Sequence, residues 1–137
     1  MNKNQFTIKK KIIFEGISLH SGLVTKVVLK PSEIDSGIAF LRTDIKNSKP
    51  ILANWKNIVS ANLCTKIANK KGESVNTIEH LMFSFYSLGI TNLLIEINGS
   101  EIPIMDGSAK IFIEEILKCG LLDQQQKIKK ILIFKKF

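Results

Sequence analysis

The sequence predicts an α+β fold: a two-layer sandwich in which two helices lie on one face of a mainly antiparallel sheet. In the first half, short segments rich in β-branched and aromatic residues alternate with turn residues. In the second half, two segments place apolar residues at helical spacing. Helices with a single apolar face pack that face on a sheet, so the pattern favours one layer of each kind. The 137 residues suffice for one domain with a hydrophobic core.

Strands are predicted where β-rich segments end at glycine, proline or polar turn residues. The expected strands are Phe6–Phe14, Val24–Lys30, Ile38–Arg42, Ile51–Ile58, Leu63–Ala68 and Asn92–Ile97. Pro31 ends the second of them, and Asn69–Gly72 is expected to form a tight turn. Between the first two strands lies a turn-prone loop, Gly16–Gly22, which contains His20.

Two helices are predicted from apolar residues that recur every three or four positions. The apolar face of the first consists of Ile78, Leu81, Met82, Phe85 and Leu88. Asn76 or Thr77 is expected to cap its start, and Gly89 to end it. The apolar face of the second consists of Ala109, Phe112, Ile113, Ile116 and Leu117. Its expected cap is Ser108, and its expected end is Gly120.

The residues after the second helix are expected to lead out of the domain. Asp123–Lys127 is polar and predicts a linker, and Lys129–Phe134 predicts one more strand, with no following element to pack on. We therefore expect an amino-terminal domain over residues 1–122. Residues 123–137 are expected to be a linker and the first strand of a second domain that this chain does not contain.

The formal charge of +8 comes almost entirely from lysine, with Arg42 the only arginine. A surface that reads nucleic acid favours arginine, whose planar group matches guanine edges and phosphates. We therefore expect no nucleic-acid partner and interpret the charge as solubilising. Attraction to an anionic partner, such as a nucleotide diphosphate or an anionic membrane face, stays open.

The two cysteines, Cys64 and Cys119, are far apart in the sequence and do not form a CxxC pair. This is typical of reduced thiols, and we expect a cytoplasmic protein. Residues 1–11 are polar and basic, and the short apolar run that follows ends at Glu15, so no signal peptide is predicted. No apolar run approaches the ~20 residues that span a bilayer, so we expect no transmembrane segment.

Glu79 and His80 are candidate catalytic residues, because both lie in the first turn of the first helix and outside its apolar face. A neutral imidazole is a common zinc ligand, and an adjacent carboxylate can act as general base toward the attacking water. The alternative is an ordinary solvated acid beside a surface histidine. A catalytic zinc normally has three protein ligands, whereas the sequence has only two histidines, His20 and His80, and no HExxH pair. The ligand count predicts that the chain alone does not hold Zn²⁺.

Other polar residues allow a structural and a functional interpretation. His20 either lends a polar group to a substrate pocket or is an ordinary turn residue. Asp106 lies in the loop before the second helix, where it can cap that helix. Leu63 and Cys64 are expected strand residues. Cys64 or Asp106 could supply a further metal ligand, although no spacing argues for either.

Four blocks of the sequence occur in an order that resembles one family of enzymes. They are Gly16–Gly22 (GISLHSG), Asn62–Thr65 (NLCT), Asn76–Leu81 (NTIEHL) and Glu101–Ala109 (EIPIMDGSA). Together they resemble the zinc-dependent UDP-3-O-acyl-N-acetylglucosamine deacetylases of lipid A synthesis. The last block is highly specific, and the resemblance extends over roughly residues 5–134.

The resemblance implies a protein of two similar domains, each a sheet with two helices, whose helix layers face each other across the active site. It implies that His80 is a zinc ligand and that Glu79 is the general base. The substrate-binding positions that it implies are Leu63, Cys64, His20 and Asp106. The reaction it implies is hydrolysis of the 2-acetamido group of a UDP-linked, 3-O-acylated glucosamine, with release of acetate.

The family takes its other two zinc ligands, a histidine and an aspartate at HxxxD spacing, from the second domain. The groups that support the oxyanion and the leaving amine come from there as well. The active site is therefore expected to be incomplete in this chain, and the chain to be inactive alone.

Three explanations stay open at the level of sequence. In the first, the chain is a truncated or split deacetylase, and a second polypeptide completes the site. In the second, it is a non-catalytic remnant that binds a partner or self-associates through its exposed helix layer. The third, a basic domain that binds RNA or DNA, rests on the positive charge alone.

Overall fold

The computed structural model describes residues 3–60 and 62–129. Its strands are β1 (Asn4–Ile8), β2 (Ile12–Ile17), β3 (Val24–Pro31), β4 (Ile38–Arg42), β5 (Ile51–Leu52), β6 (Ile58–Ser60), β7 (Lys66–Ala68), β8 (Ser74–Val75), β9 (Leu93–Ile97) and β10 (Leu121–Lys127). Its helices are α1 (Glu79–Leu88) and α2 (Lys110–Cys119), and a short 3-10 helix covers Trp55–Asn57.

Five strands form the main sheet, in the order β2-β3-β9-β4-β5. Neighbouring strands are antiparallel except β4 and β9, which run parallel. The two helices contact each other, and Phe112 of α2 meets Phe14 of β2 with ring centroids 4.9 Å apart. The predicted two-layer α+β sandwich with a mainly antiparallel sheet is confirmed.

The core lies between the sheet and the helices. Because side chains alternate along a strand, β9 turns every second residue inward. The fully buried apolar residues of β9, α1 and α2 include Leu93, Ile95, Ile97, Leu81, Phe85, Phe112 and Ile116. The apolar face predicted for α1 is thereby confirmed. In α2 the prediction fails at Leu117, which is 57% exposed, while Cys119 packs against the core instead.

The predicted strand Phe6–Phe14 is wrong, because the chain breaks at Lys9 and Lys10 into β1 and β2. The two strands join different sheets, since β1 pairs with β10 and β2 pairs with β3. The break has a physical cause far along the sequence: the Lys9 N–H donates to the Gly120 carbonyl, 3.0 Å away, where α2 ends. The composition of Phe6–Phe14 indicates a β-rich run but contains no information about this distant partner.

The predicted extended segments at Ile51–Ile58 and Leu63–Ala68 are shorter in the structure. The first is divided by the 3-10 helix between β5 and β6, and the second is a strand only from Lys66. The small sheet β6-β7-β8 results. The tight turn predicted at Asn69–Gly72 is confirmed, with the Gly72 N–H donating to the Asn69 carbonyl at 3.0 Å.

The cap position of helix α1 lies one or two residues later than predicted. Ile78 occupies the cap position and no side chain caps the helix, so the predicted cap at Asn76 or Thr77 is wrong. The Thr77 hydroxyl donates instead to a carboxylate oxygen of Glu101. The predicted end at Gly89 is confirmed, and this glycine has the left-handed conformation (φ +72°) that favours glycine after a helix.

Helix α2 begins and ends close to its predicted boundaries. The predicted cap at Ser108 is wrong, because Ala109 occupies the cap position; the Ser108 hydroxyl accepts a hydrogen bond of 3.1 Å from the Lys110 N–H. The predicted end is confirmed, since Gly120 follows the last helical residue. Each of the two helices is 10 residues long, and neither is long and apolar enough to cross a membrane.

The predicted linker at Asp123–Lys127 is wrong, because these residues belong to β10. They are polar, but their backbone groups pair with β1, and the Asn4 amide donates to both Asp123 carboxylate oxygens at 2.9 Å. Strand formation here depends on available backbone partners rather than on apolar content. The strand predicted at Lys129–Phe134 lies, beyond its first residue, outside the described part of the chain, and the second domain stays a prediction.

Candidate functional site

The first turn of α1 carries Glu79 and His80 side by side. The backbone N–H of Thr65 donates to Oε2 of Glu79 at 3.1 Å, which ties the segment before β7 to the helix. The other carboxylate oxygen, Oε1, has no hydrogen-bond partner within residues 3–60 and 62–129. One oxygen of Glu79 is therefore held in place while the other is available to accept a proton.

The His80 side chain is half-buried beside the junction of the two helices. The fully buried Ser84 donates its hydroxyl to the His80 carbonyl at 2.9 Å and lies 3.4 Å from the Ala109 carbonyl. A small residue at this position lets the start of α2 approach α1 closely. The His80 ring has no hydrogen-bond partner among the described residues, so its ring nitrogens are available to a ligand.

Leu63 and Cys64 come directly before Thr65, whose N–H donates to Glu79. The Leu63 side chain is 87% exposed, and Cys64 is a half-buried free thiol. A leucine exposed to this degree contributes little to the core of this domain. Its exposure and its position two residues before Thr65, which anchors Glu79, allow it to contact a ligand.

His20 belongs to a second cluster, built around the carboxylate of Glu101. Oε1 of Glu101 accepts from the His20 backbone N–H at 3.0 Å, from Nδ1 of its ring at 2.7 Å, and from the Thr77 hydroxyl at 2.9 Å. Oε2 accepts from the Ser21 N–H at 2.9 Å. The His20 side chain is 39% exposed and that of Glu101 only 2%. The structure thus places His20 next to Thr77, two positions before Glu79.

The charge of Glu101 is stabilised by these donors. Burial, the largest single influence, raises the pKa of the Glu101 carboxyl. The hydrogen bonds from His20, Ser21 and Thr77 outweigh burial and lower the pKa to about 2. Glu101 is therefore an anion at neutral pH, although water hardly reaches it.

Backbone pairing on both sides of Glu101 forms this cluster. The Ile104 N–H donates to the Ile17 carbonyl at 2.9 Å, and the Ile102 N–H donates to the Asn76 carbonyl at 3.1 Å. At Gly16 a Cβ atom would lie 3.2 Å from the Pro103 side chain, so glycine permits the close approach of β2. The Glu101 segment lies between the His20 loop and the segment that enters α1.

Asp106 lies outside both clusters. Its Oδ1 accepts from the Ser108 N–H at 3.0 Å and from the Ser108 hydroxyl at 2.9 Å. These hydrogen bonds hold the pKa of the exposed Asp106 carboxyl below its ordinary range. The contacts are those of a turn that leads into α2, and none of its hydrogen bonds reaches His20 or Glu79.

The described residues do not form a complete metal site. Residues 3–60 and 62–129 contain no group of three or more histidine, cysteine, aspartate or glutamate side chains placed to hold a metal ion. They offer one unengaged imidazole, His80, with the Glu79 carboxylate next to it. This donor set fits part of a catalytic zinc site, which normally needs three protein ligands.

Glu101 and Thr77 are not among the functional candidates predicted from the sequence. An isolated carboxylate directly before an apolar segment, as in Glu101–Ile104, is a signal that the charge has buried donors. The donors themselves come from residues up to 81 positions away, so they could not be named from the sequence.

Comparison with known proteins assigns the chain to a family. The family model for UDP-3-O-acyl N-acetylglycosamine deacetylase matches residues 5–137. The chain belongs to this deacetylase family. The resemblance carried by the four sequence blocks is thereby confirmed.

Curated relatives of this family align with nearly the whole chain. The UDP-3-O-acyl-N-acetylglucosamine deacetylase of Wigglesworthia glossinidia brevipalpis is 41% identical over 132 residues, which is 96% of this chain and 44% of the relative. The protein of the same description from Brucella melitensis biotype 2 is 38% identical over 135 residues, 98% of this chain and 47% of the relative. The chain thus spans less than half the length of these relatives.

Proposed function

We propose that this chain is the part of a zinc-dependent UDP-3-O-acyl-N-acetylglucosamine deacetylase that carries the general base, Glu79, and one zinc ligand, His80. The reaction is hydrolysis of the 2-acetamido group of the UDP-linked, acylated glucosamine, with release of acetate, in lipid A biosynthesis in the cytoplasm. The observation that supports this most is the pair of neighbouring side chains at the start of α1. Among the described residues, one oxygen of Glu79 is anchored by the Thr65 N–H, while the other oxygen and the His80 ring have no hydrogen-bond partner.

The residues of this chain would act on the attacking water. Oε1 of Glu79 accepts a proton from the water while the water oxygen adds to the acetamide carbon. The Thr65 N–H keeps the Glu79 carboxylate oriented. The C–N bond then breaks, the nitrogen takes up the proton that Glu79 removed from the water, and the amine and acetate are the products. When bound at His80, zinc supplies a Lewis acid that polarises the carbonyl and acidifies the water. Leu63, Cys64 and His20 would line the substrate site.

The role of Asp106 in this proposal is less direct. Its hydrogen bonds to Ser108 shape the entrance to α2, and we assign it a contact with substrate only as the family resemblance implies. The remaining zinc ligands are expected from a second domain or a second polypeptide. We therefore expect this chain to be inactive alone.

Reconstitution tests the proposal. The chain is mixed with a polypeptide that carries the HxxxD segment, and zinc content and acetate release are measured. We expect one zinc per complex and restored deacetylation. Glu79→Gln should keep the zinc and lower the rate about 10²- to 10⁴-fold, as expected for loss of a general base.

The two histidines of the chain provide a matched control for the metal. His80→Ala should abolish zinc binding in the complex, whereas His20→Ala should retain one zinc. Absence of zinc uptake by the wild-type mixture would rule out a split enzyme, and equal zinc loss in both variants would rule out His80 as the specific ligand.

One observation favours a second candidate, a non-catalytic module that binds a partner or another copy of itself through the helix layer. Phe83 and Tyr86 of α1 are 58% and 85% exposed, and Leu117 of α2 is 57% exposed. Exposed apolar side chains on one layer are typical of a surface covered by another protein. Sedimentation velocity distinguishes the cases, since a monomer at every concentration contradicts self-association.

A further inference from the structure

Glu101 is the only charged residue among the fully buried residues of the described chain. A buried carboxylate is costly unless several donors compensate it. Here four hydrogen bonds of 2.7–3.0 Å do so, and all of them come from the His20–Ser21 loop and from Thr77. The reaction described above has no use for this carboxylate as acid or base, because Glu101 lies beneath the loop.

The contact with His20 determines where that ring carries its proton. An ionised carboxylate only accepts hydrogen bonds, so the 2.7 Å contact requires a proton on Nδ1 of His20. In the neutral ring Nε2 then carries a lone pair and no proton. Nε2 has no hydrogen-bond partner among the described residues, and the side chain is 39% exposed. The ring is therefore set to accept a hydrogen bond from a hydroxyl or N–H group of a ligand.

The contact with Thr77 determines how the chain enters α1. Thr77 has φ +56°, a left-handed conformation that is unusual for a β-branched residue. Such a conformation persists where neighbouring contacts enforce it. The 2.9 Å hydrogen bond from its hydroxyl to Glu101 is such a contact, and it acts two residues before Glu79.

We propose that Glu101 is a positioning residue that holds His20 in the Nδ1–H tautomer and holds Thr77 in its left-handed conformation. Through these two contacts one carboxylate aligns the His20 loop with the first turn of α1. The backbone hydrogen bonds of Ile102 to Asn76 and of Ile104 to Ile17 hold the carboxylate itself between the two segments. The effect of Glu101 on substrate binding rests on the proposed deacetylase function, whereas its effect on the His20 tautomer does not.

The tautomer can be read directly by NMR on the ¹⁵N-labelled 137-residue chain without metal. Only two histidine rings are present, and His80→Ala identifies the signals of His20. At a pH where the ring is neutral, we expect a protonated Nδ1 and an unprotonated Nε2. Glu101→Gln should remove this preference, because a carboxamide both donates and accepts. Asp106→Asn, which neutralises an exposed acid outside the cluster, should leave the His20 signals unchanged.

A proton on Nε2 of His20 in the wild type overturns the proposal, and so does an unchanged tautomer in folded Glu101→Gln. If circular dichroism shows that Glu101→Gln is unfolded, the NMR spectra of the wild type and of Thr77→Val test the proposal instead. Thr77→Val keeps the Nδ1 contact, so its tautomer should stay as in the wild type while the amide signals of Glu79 and His80 shift. Absence of those shifts contradicts the role assigned to Thr77.

In the reconstituted enzyme, Glu101→Gln should raise KM about two- to tenfold, the worth of one hydrogen bond, and leave the zinc content at one per complex. His20→Ala should raise KM by a similar factor, and the KM of the double variant should be close to that of either single variant. Independent, multiplying effects of the two changes would contradict positioning through His20. Failure of reconstitution would count against the proposed function, but the ring tautomer would still test the role of Glu101.

Discussion

At the scale of single residues, the described part of the chain combines Glu79 and His80, which have free polar atoms, with a buried acid held by several donors. Glu79 accepts one hydrogen bond from the described residues and the His80 ring makes none, whereas the Glu101 carboxylate accepts four. Unengaged groups are available to a metal, a water or a substrate. A buried carboxylate with four donors instead fixes the geometry of its neighbours, since moving any donor removes part of the compensation of its charge.

The lowered pKa of Glu101 predicts how stability depends on pH. Its pKa falls from the ordinary 4.5 to about 2 on folding, so the ionised form stabilises the fold above pH 4.5, and this contribution is lost as the pH falls toward 2. The shift corresponds to about 3 kcal/mol. Glu101→Gln removes this titration, so its free energy of unfolding should be lower than wild type at pH 7 and depend less steeply on pH between 4.5 and 2.

Urea unfolding at a series of pH values measures both curves. Asp106→Asn serves as the control, because this carboxyl is exposed and accepts hydrogen bonds from Ser108 in its own turn. Parallel wild-type and Glu101→Gln curves below pH 4.5 would contradict the assignment of this titration to Glu101.

At the scale of elements, helix ends follow local rules and strand pairing does not. Gly89 ends α1 with φ +72°, and no atom from residues beyond its chain neighbours lies within 4 Å of where its Cβ would be. A side chain there has space but the backbone conformation disfavours it. Gly89→Ala should therefore lower the free energy of unfolding by about 1–2 kcal/mol.

Gly89→Asn is the matched variant, because asparagine tolerates the left-handed conformation better than alanine. We expect its loss in urea unfolding to be the smaller of the two. Ser87→Ala, an exposed change in the same helix, should stay within about 0.5 kcal/mol of wild type. Equal losses for alanine and asparagine would show that a cause other than the backbone conformation dominates.

The strands β1 and β10 show why element predictions fail. Phe6–Phe14 has the composition of one long strand, yet it divides because β1 and β2 have partners in different sheets. Asp123–Lys127 has the composition of a linker, yet it pairs with β1. In both cases backbone hydrogen bonds to a distant segment outweigh local side-chain preference.

At the scale of the whole molecule, the contact between the layers holds the site in place. Phe112 is fully buried, and its ring meets that of Phe14 edge-on across the sheet–helix boundary. Phe112→Ala removes this contact and leaves a cavity. We expect a loss of about 3–5 kcal/mol in the free energy of unfolding.

Tyr86→Ala provides the comparison, since this aromatic side chain is 85% exposed on the same helix layer. Its loss should not exceed about 0.5 kcal/mol. A comparable loss for both variants in urea unfolding would mean that the helix layer is covered, as it would be in a self-associated protein, and sedimentation would then show the larger species.

Sequence patterns suffice to predict the α+β class, the buried face of α1, the end of that helix at Gly89 and the membership of a deacetylase family. These features depend on neighbours within a few positions or on short blocks of residues, so a linear pattern contains them. The burial of Glu101, its hydrogen bonds from His20 and Thr77, and the pairing of a polar segment with β1 become visible only in the folded chain. The reason is physical: compensating a buried charge and pairing a strand both require groups that meet only on folding, here 81 positions apart for His20 and Glu101.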